Sequence, residues 1–467
     1  MSPSAIRPPH PRVADDSDSD STPSTSGKHT PTTLTSSLVR AGIKSSLETN
    51  GAPLANGHSS ELAPLDASHL RTTLTTHPRA VPLPNDPCIA EQRTCTDHMI
   101  TARWALATGW DAPELKPYGP LSLMPTASVL HYATECFEGL KLYRGHDGRL
   151  RLFRPSRNCA RMRASAARIA LPDFAAAELQ RLIVALCARD GPRWLPRERP
   201  GAFLYIRPAM IATDSALGVQ RPKEALLYVV LAFLPDMTKS LSSISSSSTS
   251  APAPGLKLLA SREDTIRAWP GGFGHAKVGA NYGPSLVAQG QARALGYDQI
   301  LWLFGPDCAV TEAGASNFFI VWRTRGEPGR RGRIQLVTAP LTDKIILDGV
   351  TRASVLSLAE ERLGGGGADG EEEGLEVVER SFSMGDVMQA YEEGRLLEAF
   401  AAGTAFFIAP VRLIHFRGVD LTLPADGPEA NKYTLLIKGW LQAIMYGKEK
   451  HEWGVVVDES EEEEEWA

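Results

Sequence analysis

The segment Gly271-Gly272-Phe273-Gly274-His275-Ala276-Lys277-Val278-Gly279-Ala280-Asn281-Tyr282-Gly283 sets one lysine among glycines and alanines at 271, 272, 274, 276, 279 and 280. No carboxylate occurs from 271 to 295. Small neighbours let a flat ligand reach the backbone, and the lack of an acidic partner leaves the amine free to shed its proton. Those are the conditions for a lysine that forms a Schiff base. Taken alone, the pattern equally describes a surface lysine in a glycine-rich loop. A second pattern is Thr311-Glu312-Ala313-Gly314-Ala315-Ser316-Asn317, a carboxylate followed by small residues between two apolar runs. It suits a cationic heteroaromatic ring whose nitrogen the glutamate would keep protonated, so that the ring draws electrons. It also suits a solvated strand end. Third, Asp348-Gly349-Val350-Thr351-Arg352 precede an apolar-periodic run. Asp348 reads as a helix N-cap, and the first free amides, at Val350 and Thr351, would suit a phosphate unless capping is their whole role.

These residues need elements to hold them. Strand-like runs fall at 150–153, 202–206, 225–234, 299–304, 318–322 and 404–408, and helical runs at 160–169, 175–188, 285–295, 350–363, 383–393 and 432–446. Hairpin-like strands with inserted helices predict an α+β fold rather than a doubly wound nucleotide fold. Neither G-x-G-x-x-G nor a P-loop follows any of these strands. Residues 1–80, rich in Ser, Thr and Pro, are too polar to build a core and read as disordered. A Ser- and Pro-rich linker at 238–255 then separates a smaller α/β domain, 81–237, from a larger one, 256–457. A Gly-rich acidic loop at 364–374 and an acidic tail at 458–467 complete the organisation.

Over 467 residues, 43% hydrophobic and 22% charged content is that of an ordinary soluble globular protein. A net charge of -5, with no basic stripe, gives no reason to expect nucleic acid as a partner. The longest clean apolar run, 226–234, falls well short of the ~18 residues that a membrane helix needs. Six cysteines, none in C-x-x-C and none beside clustered histidines, predict reduced thiols and no metal site. Asp15, Asp16, Asp18 and Asp20 argue for the cytoplasm, whereas the stretch 32–47, with Arg40 and Lys44 among Ser and Thr, keeps mitochondrial import open.

Ordered motifs then identify a resemblance. They are Phe137-Glu138-Gly139-Leu140-Lys141, Leu204-Tyr205-Ile206-Arg207-Pro208, Leu217-Gly218-Val219, Lys277 through Tyr282-Gly283, Glu312 with Gly314 and Asn317, Gly349-Val350-Thr351-Arg352, and Gly403-Thr404-Ala405. From about residue 96 to 457 the chain resembles the branched-chain amino-acid aminotransferases, within the fold-type IV pyridoxal-phosphate enzymes. The resemblance implies two α/β domains with pyridoxal 5'-phosphate at their interface. It implies a ping-pong transfer of the amino group of leucine, isoleucine or valine to 2-oxoglutarate, and a homodimer acting on small amino and oxo acids. Lys277 would carry the cofactor and move the α-proton. Glu312 would bind the ring nitrogen, Tyr282 the phenolic oxygen, and Arg161, Val350, Thr351 and Thr404 the phosphate. Tyr132, Phe137 and Tyr205 would form the aromatic side of the substrate pocket, completed by Ala315 and Ala405. Leu217 and Val219 would reach across from the partner subunit, and Arg207 would meet the second carboxylate of glutamate.

Some positions depart from the family. Ala315 stands where a threonine hydroxyl is common, with Ser316 as a possible substitute. Phe406 and Ala409 occupy the places of the mammalian C-x-x-C, so no thiol switch is expected. Phe406 is also bulky, and the 238–255 linker is an insertion. These departures keep a rival in view: a fold-type IV paralogue serving another amino or oxo acid in a specialised pathway.

Overall fold

The computed structural model describes residues 62–84, 86–235, 255–327, 331–364, 374–405, 407–424 and 430–459. Its helices are α1 (Pro87–Ala90), α2 (Val129–Tyr132), α3 (Pro155–Arg168), α4 (Ala176–Trp194), α5 (Ser285–Ala294), α6 (Val350–Leu363), α7 (Met384–Glu392) and α8 (Lys432–Met445). The first sheet uses β1 (Arg71–Thr72), β2 (Cys95–Ala105), β3 (Gly109–Trp110), β4 (Glu114–Pro117), β5 (Glu135–Phe137), β6 (Leu140–Arg144), β7 (Leu150–Phe153), β8 (Phe203–Ala212) and β9 (Glu224–Ala232). The second uses β10 (Leu256–Ala260), β11 (Gln299–Phe304), β12 (Ala309–Ala313), β13 (Ser316–Arg323), β14 (Ile334–Thr338), β15 (Leu375–Glu379), β16 (Leu396–Gly403), β17 (Phe407–Phe416) and β18 (Val419–Thr422). A final strand, β19 (Gly454–Val457), returns to the first sheet beside β7. This is the mixed α+β arrangement that the strand and helix patterns predict.

In the first sheet the order runs β1-β4-β2-β9-β8-β6-β7-β19. Side chains alternate across a strand. On β8 that rule buries Leu204 and Ile206 in a core shared with Met162 of α3 and Leu179 and Trp194 of α4. Tyr205 and Arg207 are left on the opposite face. The second sheet runs β12-β11-β10-β17-β16-β13-β14-β15, and β12 also pairs with β13, so part of the path closes on itself. Strand β13 is buried on both faces. Phe318, Ile320 and Trp322 pack with Met384 and Val387 of α7, while Phe319 and Val321 pack with Val355 of α6 and Leu441 of α8. Phe319 stacks on its register partner Phe400 with ring centroids 4.8 Å apart. Burying one such ring stabilises the fold by roughly 1.5–3 kcal/mol.

Three boundaries differ from the sequence reading. Ordered packing begins well before residue 81: Leu65 is buried in the first core, and β1 pairs with β4. The strand expected at 404–408 is two strands, since β16 ends at Gly403, Thr404 and Ala405 form the turn, and β17 starts at Phe407. That turn brings Thr404 and Ala405 to the end of the sheet. The last strand of the expected larger domain, β19, belongs to the first sheet. Residues 238–254, 365–373 and 460–467, from the expected linker, loop and tail, lie outside the described residues, as do residues 1–61.

Helix α8 shows how the site-bearing strand is tied down. Its N-cap, Asn431, makes no side-chain cap. The buried Glu398 carboxylate of β16 instead accepts from the backbone N–H groups of Tyr433 and Thr434, both at 2.9 Å, and from the Thr434 hydroxyl at 2.7 Å. An anion at a helix N-terminus satisfies free amides and meets the positive end of the dipole. Glu398→Ala is expected to lower the unfolding free energy by about 2 kcal/mol; an unchanged denaturant midpoint would show that the cap is idle.

Candidate active site

Lys277 is placed by its neighbours. Ala276 and Val278 are buried in the first core, and Val278 forms a bridge with Cys136 of β5. The Phe137 N–H donates to the Lys277 carbonyl at 3.1 Å, and the Lys277 N–H donates to Ser165 Oγ at 2.9 Å. With both neighbours buried, the lysine side chain faces a cavity of about 440 Å3 lined by both sheets. Its Nζ donates to Tyr282 Oη at 3.1 Å and lies 4.8 Å from the centroid of the Phe137 ring. Among the described residues no carboxylate makes an ion pair with this amine.

Glu312 lines the same cavity and is buried. One oxygen, Oε1, accepts from Asn317 Nδ2 and from the Leu347 N–H, both at 3.1 Å. The other forms an ion pair with Arg267. Burial pushes this carboxyl above its ordinary range even though Arg267 opposes the shift. The solvated alternative for Glu312 is therefore excluded. Asn317 also donates to the Leu347 carbonyl at 2.9 Å. A Cβ on Gly349 would meet Asn317 Oδ1 at 2.0 Å, so this close approach requires the glycine.

At another end of the cavity, α6 starts at Val350 with no side chain capping it. Gly349 is the N-cap residue, not Asp348. The Asp348 carboxylate pairs with Arg157 at 3.3 Å, and its carbonyl accepts from Arg161 Nη1 at 2.9 Å. Gly349, Val350 and Thr351 line the cavity, and Thr404 and Ala405 do so from the β16–β17 turn. Arg352 does not; it is buried against Glu379 and the Ala339 carbonyl. Arg161 is a lining residue held by two bonds, 2.7 and 2.8 Å, to the fully buried Glu138. Burial works against the Glu138 carboxylate, yet the Arg161 charge and hydrogen bonds hold it below its ordinary range.

The remaining wall is aromatic and cationic. Phe137, Tyr205, Arg207 and Ala315 line it. Arg207 donates to Tyr205 Oη at 3.0 Å, and its guanidinium lies 4.5 Å from the Phe137 centroid. Its Nε is buried with no hydrogen-bond partner. A Cβ on Gly139 would meet Tyr205 Oη at 2.0 Å. Ser316 does not stand in for the missing threonine, because its hydroxyl packs where a Gly403 Cβ would sit, 2.7 Å away, and it is not a lining residue. Ala409 is buried within β17, and Phe406 lies outside the described residues.

Tyr132, expected on the aromatic side of this chain's pocket, lies elsewhere, beside the Leu217–Val219 loop that was expected to serve a partner subunit. Tyr132, Leu217 and Val219 are 39%, 57% and 86% exposed and do not line the cavity. The Tyr132 hydroxyl donates to the Leu217 carbonyl, so α2 and this loop form one exposed group. Tyr132 therefore belongs with the Leu217 loop rather than with this chain's own aromatic wall. Arg267, the ion-pair partner of Glu312, had no local signal: it is one arginine in a polar stretch whose partner comes from a distant strand. Glu138 and Asn317 were visible only as members of motifs.

The family model for amino-transferase class IV matches residues 135–414. The mitochondrial branched-chain-amino-acid aminotransferase of Schizosaccharomyces pombe is 41% identical over 394 residues, 84% of this chain and 86% of that protein. The cytosolic branched-chain-amino-acid aminotransferase of Saccharomyces cerevisiae is 42% identical over 400 residues, 85% of this chain and 98% of that one. The branched-chain amino acid aminotransferase of Thermobaculum terrenum in its PLP form shares the fold, with a TM-score of 0.56 at 22% identity, over 76% of this chain and 98% of that one. Relatives near 40% identity across most of the chain favour the branched-chain reading over a paralogue for another substrate. Among the described residues no helix is long and apolar enough to cross a membrane. The chain belongs to the branched-chain-amino-acid aminotransferases, within the fold-type IV, class IV aminotransferase family.

Proposed function

We propose that this cavity is where the amino group is exchanged, with Lys277 as the residue that carries pyridoxal 5'-phosphate. The observation that supports the reading above all is the Lys277 amine, bonded to Tyr282 Oη and in an ion pair with no carboxylate among the described residues, in one cavity with the buried Glu312. The residues present fit the cofactor. Glu312 would hold the ring nitrogen and Tyr282 the phenolic oxygen. Arg161, Thr404 and the first amides of α6, at Val350 and Thr351, would hold the phosphate; that helix end has no side-chain cap to compete. When bound, the cofactor supplies an aldehyde that accepts the amino group and a ring that draws electrons from the substrate α-carbon.

The protein's own part is to bind, orient and move protons. Lys277 Nζ moves the proton of the substrate α-carbon, for which it must first lose its own. Tyr282 Oη accepts from that amine and orients it. Glu312, as an anion, holds a proton at the ring nitrogen. Phe137 and Tyr205 give an apolar wall for a branched side chain. Arg207, with its unpartnered Nε, meets the second carboxylate of glutamate in the same space. Ala315 and Ala405 leave room at the substrate carboxylate. Protein loaded with pyridoxal phosphate is expected to show a visible absorption band that Lys277→Ala lacks, and leucine and glutamate are each expected to bleach it. A band that survives Lys277→Ala would sink the assignment.

Tyr132, Leu217 and Val219 act, in this reading, in the cavity of a second copy, so the working form is a homodimer. Their exposure and mutual contact support it. Val219→Asp should raise the KM for leucine and leave the visible band intact; an unaltered KM would remove the loop from the site. The curated relatives divide between cytosolic and mitochondrial forms. Four aspartates within 15–20 support the cytoplasm for this chain. A fluorescent fusion of the full chain found in mitochondria would reverse that.

A further inference from the structure

We propose that Arg267 is a positioning residue for the reaction: gripping Glu312 from behind, it keeps that carboxylate charged and aimed at the cofactor's ring nitrogen. The proposal rests on the reading of Glu312 as the ring-nitrogen partner.

Glu312 stands in the wall between the main cavity and a smaller chamber of about 150 Å3, lined among others by Arg267, Ser285, Gln289 and Gln299. Arg267 lines only the smaller chamber, so it reaches the carboxylate from the side away from substrate. The Arg267 side chain is 10% exposed; its Nη2 forms the ion pair with Glu312 Oε2 and donates to the Ile345 carbonyl at 3.1 Å. Its Nε is buried without a partner, which leaves the side chain no comparable anchor other than these two. The second carboxylate oxygen is held by Asn317 and the Leu347 N–H. A carboxylate accepts about four hydrogen bonds. Two are committed at Oε1 and Oε2 is held in the ion pair with Arg267, so Glu312 is fixed in orientation with capacity left for a donor from the cavity.

Charge leads to the same residue. A buried carboxylate drifts toward its neutral acid, which cannot hold a proton on a ring nitrogen. The charged or titratable groups around Glu312 are Arg267, Lys277, Arg352 and Tyr282. Lys277 changes its proton count during the reaction. Arg352 is committed to Glu379 and the Ala339 carbonyl. Tyr282 accepts from Lys277 and is no cation. Among the described residues Arg267 alone is a permanent cation in contact, and a guanidinium does not deprotonate. The backbone is shaped for it: a Cβ on Gly274 would meet the Ile345 carbonyl oxygen at 2.5 Å, so the loop after Arg267 packs directly on the carbonyl that also receives its Nη2.

The test uses holoenzyme variants R267Q, R267K, E312Q and R267Q/E312Q, with leucine-driven bleaching followed across pH. The ring nitrogen is read without substrate, from the resonance of 15N-labelled pyridoxal phosphate. R267Q is expected to keep the visible band. The acid limb of its bleaching profile should move up by about one pH unit, with about a tenfold loss at neutral pH. The labelled nitrogen should lose its proton at a pH where the parent keeps it. R267K, which restores the charge, should bring the acid limb back. In the E312Q background R267Q should add less than about a twofold change, since both act through one group. If R267Q does not accumulate, Arg267→Met takes its place with the same expectations. A parent-like profile and resonance in R267Q beside a slow E312Q would overturn the proposal alone, and so would an undiminished R267Q penalty in the E312Q background. A fast E312Q would overturn the reading of Glu312 and the proposal with it.

Discussion

Lys277 can face the cavity only because the residues on either side of it are buried in the core of the other sheet. Ala276 and Val278 pack beneath β5 and β8, and the bridge from Val278 to Cys136 fixes the register. The bond from the Phe137 N–H to the Lys277 carbonyl then couples two walls of the site. A displacement of the lysine segment would drag the aromatic wall with it, so the distance between amine and substrate wall is set by backbone rather than by side-chain rotamers. Tyr205 and Arg207 follow the same logic one strand away, since Leu204 and Ile206 occupy the core face. Alternation on two segments thus brings three site residues, Lys277, Tyr205 and Arg207, to one surface.

Much of this was legible in the chain because it is local. The acid-free stretch around Lys277 marks it out in the chain, and its amine bonds to Tyr282 Oη, five residues away. The extents of β11 and α6 followed directly from composition and periodicity. Glu312 was readable as a carboxylate among small residues, yet its surroundings were open; the pairing of β12 with β13 sets Asn317 opposite it, and the loop before α6 brings the Leu347 N–H.

What could not be read depends on partners far away in sequence. Arg267 acquires meaning from Glu312, and Glu138 from Arg161, through pairs that no spacing rule links. Asp348 had the residue type of an N-cap, but Arg157 draws its carboxylate away and Gly349 takes the position. The turn at Thr404 and Ala405 looks like strand in sequence because its neighbours on both sides are strands. Tyr132 has the chemistry of a pocket wall, but its helix lies on the outer surface with the Leu217 loop.

The return of β19 to the edge of β7 has a consequence for the order in which the molecule can form. Val457 is buried in the first core, among residues made hundreds of positions earlier. A growing chain therefore cannot finish its first sheet when β9 leaves the ribosome; the edge of β7 stays open until the whole second sheet has followed. An open strand edge is a surface on which other chains can add. The contact order of this one hairpin-free pairing is among the largest the chain contains, and such contacts form late and slowly. During synthesis the half that supplies the aromatic wall waits, uncapped, for the half that carries the lysine.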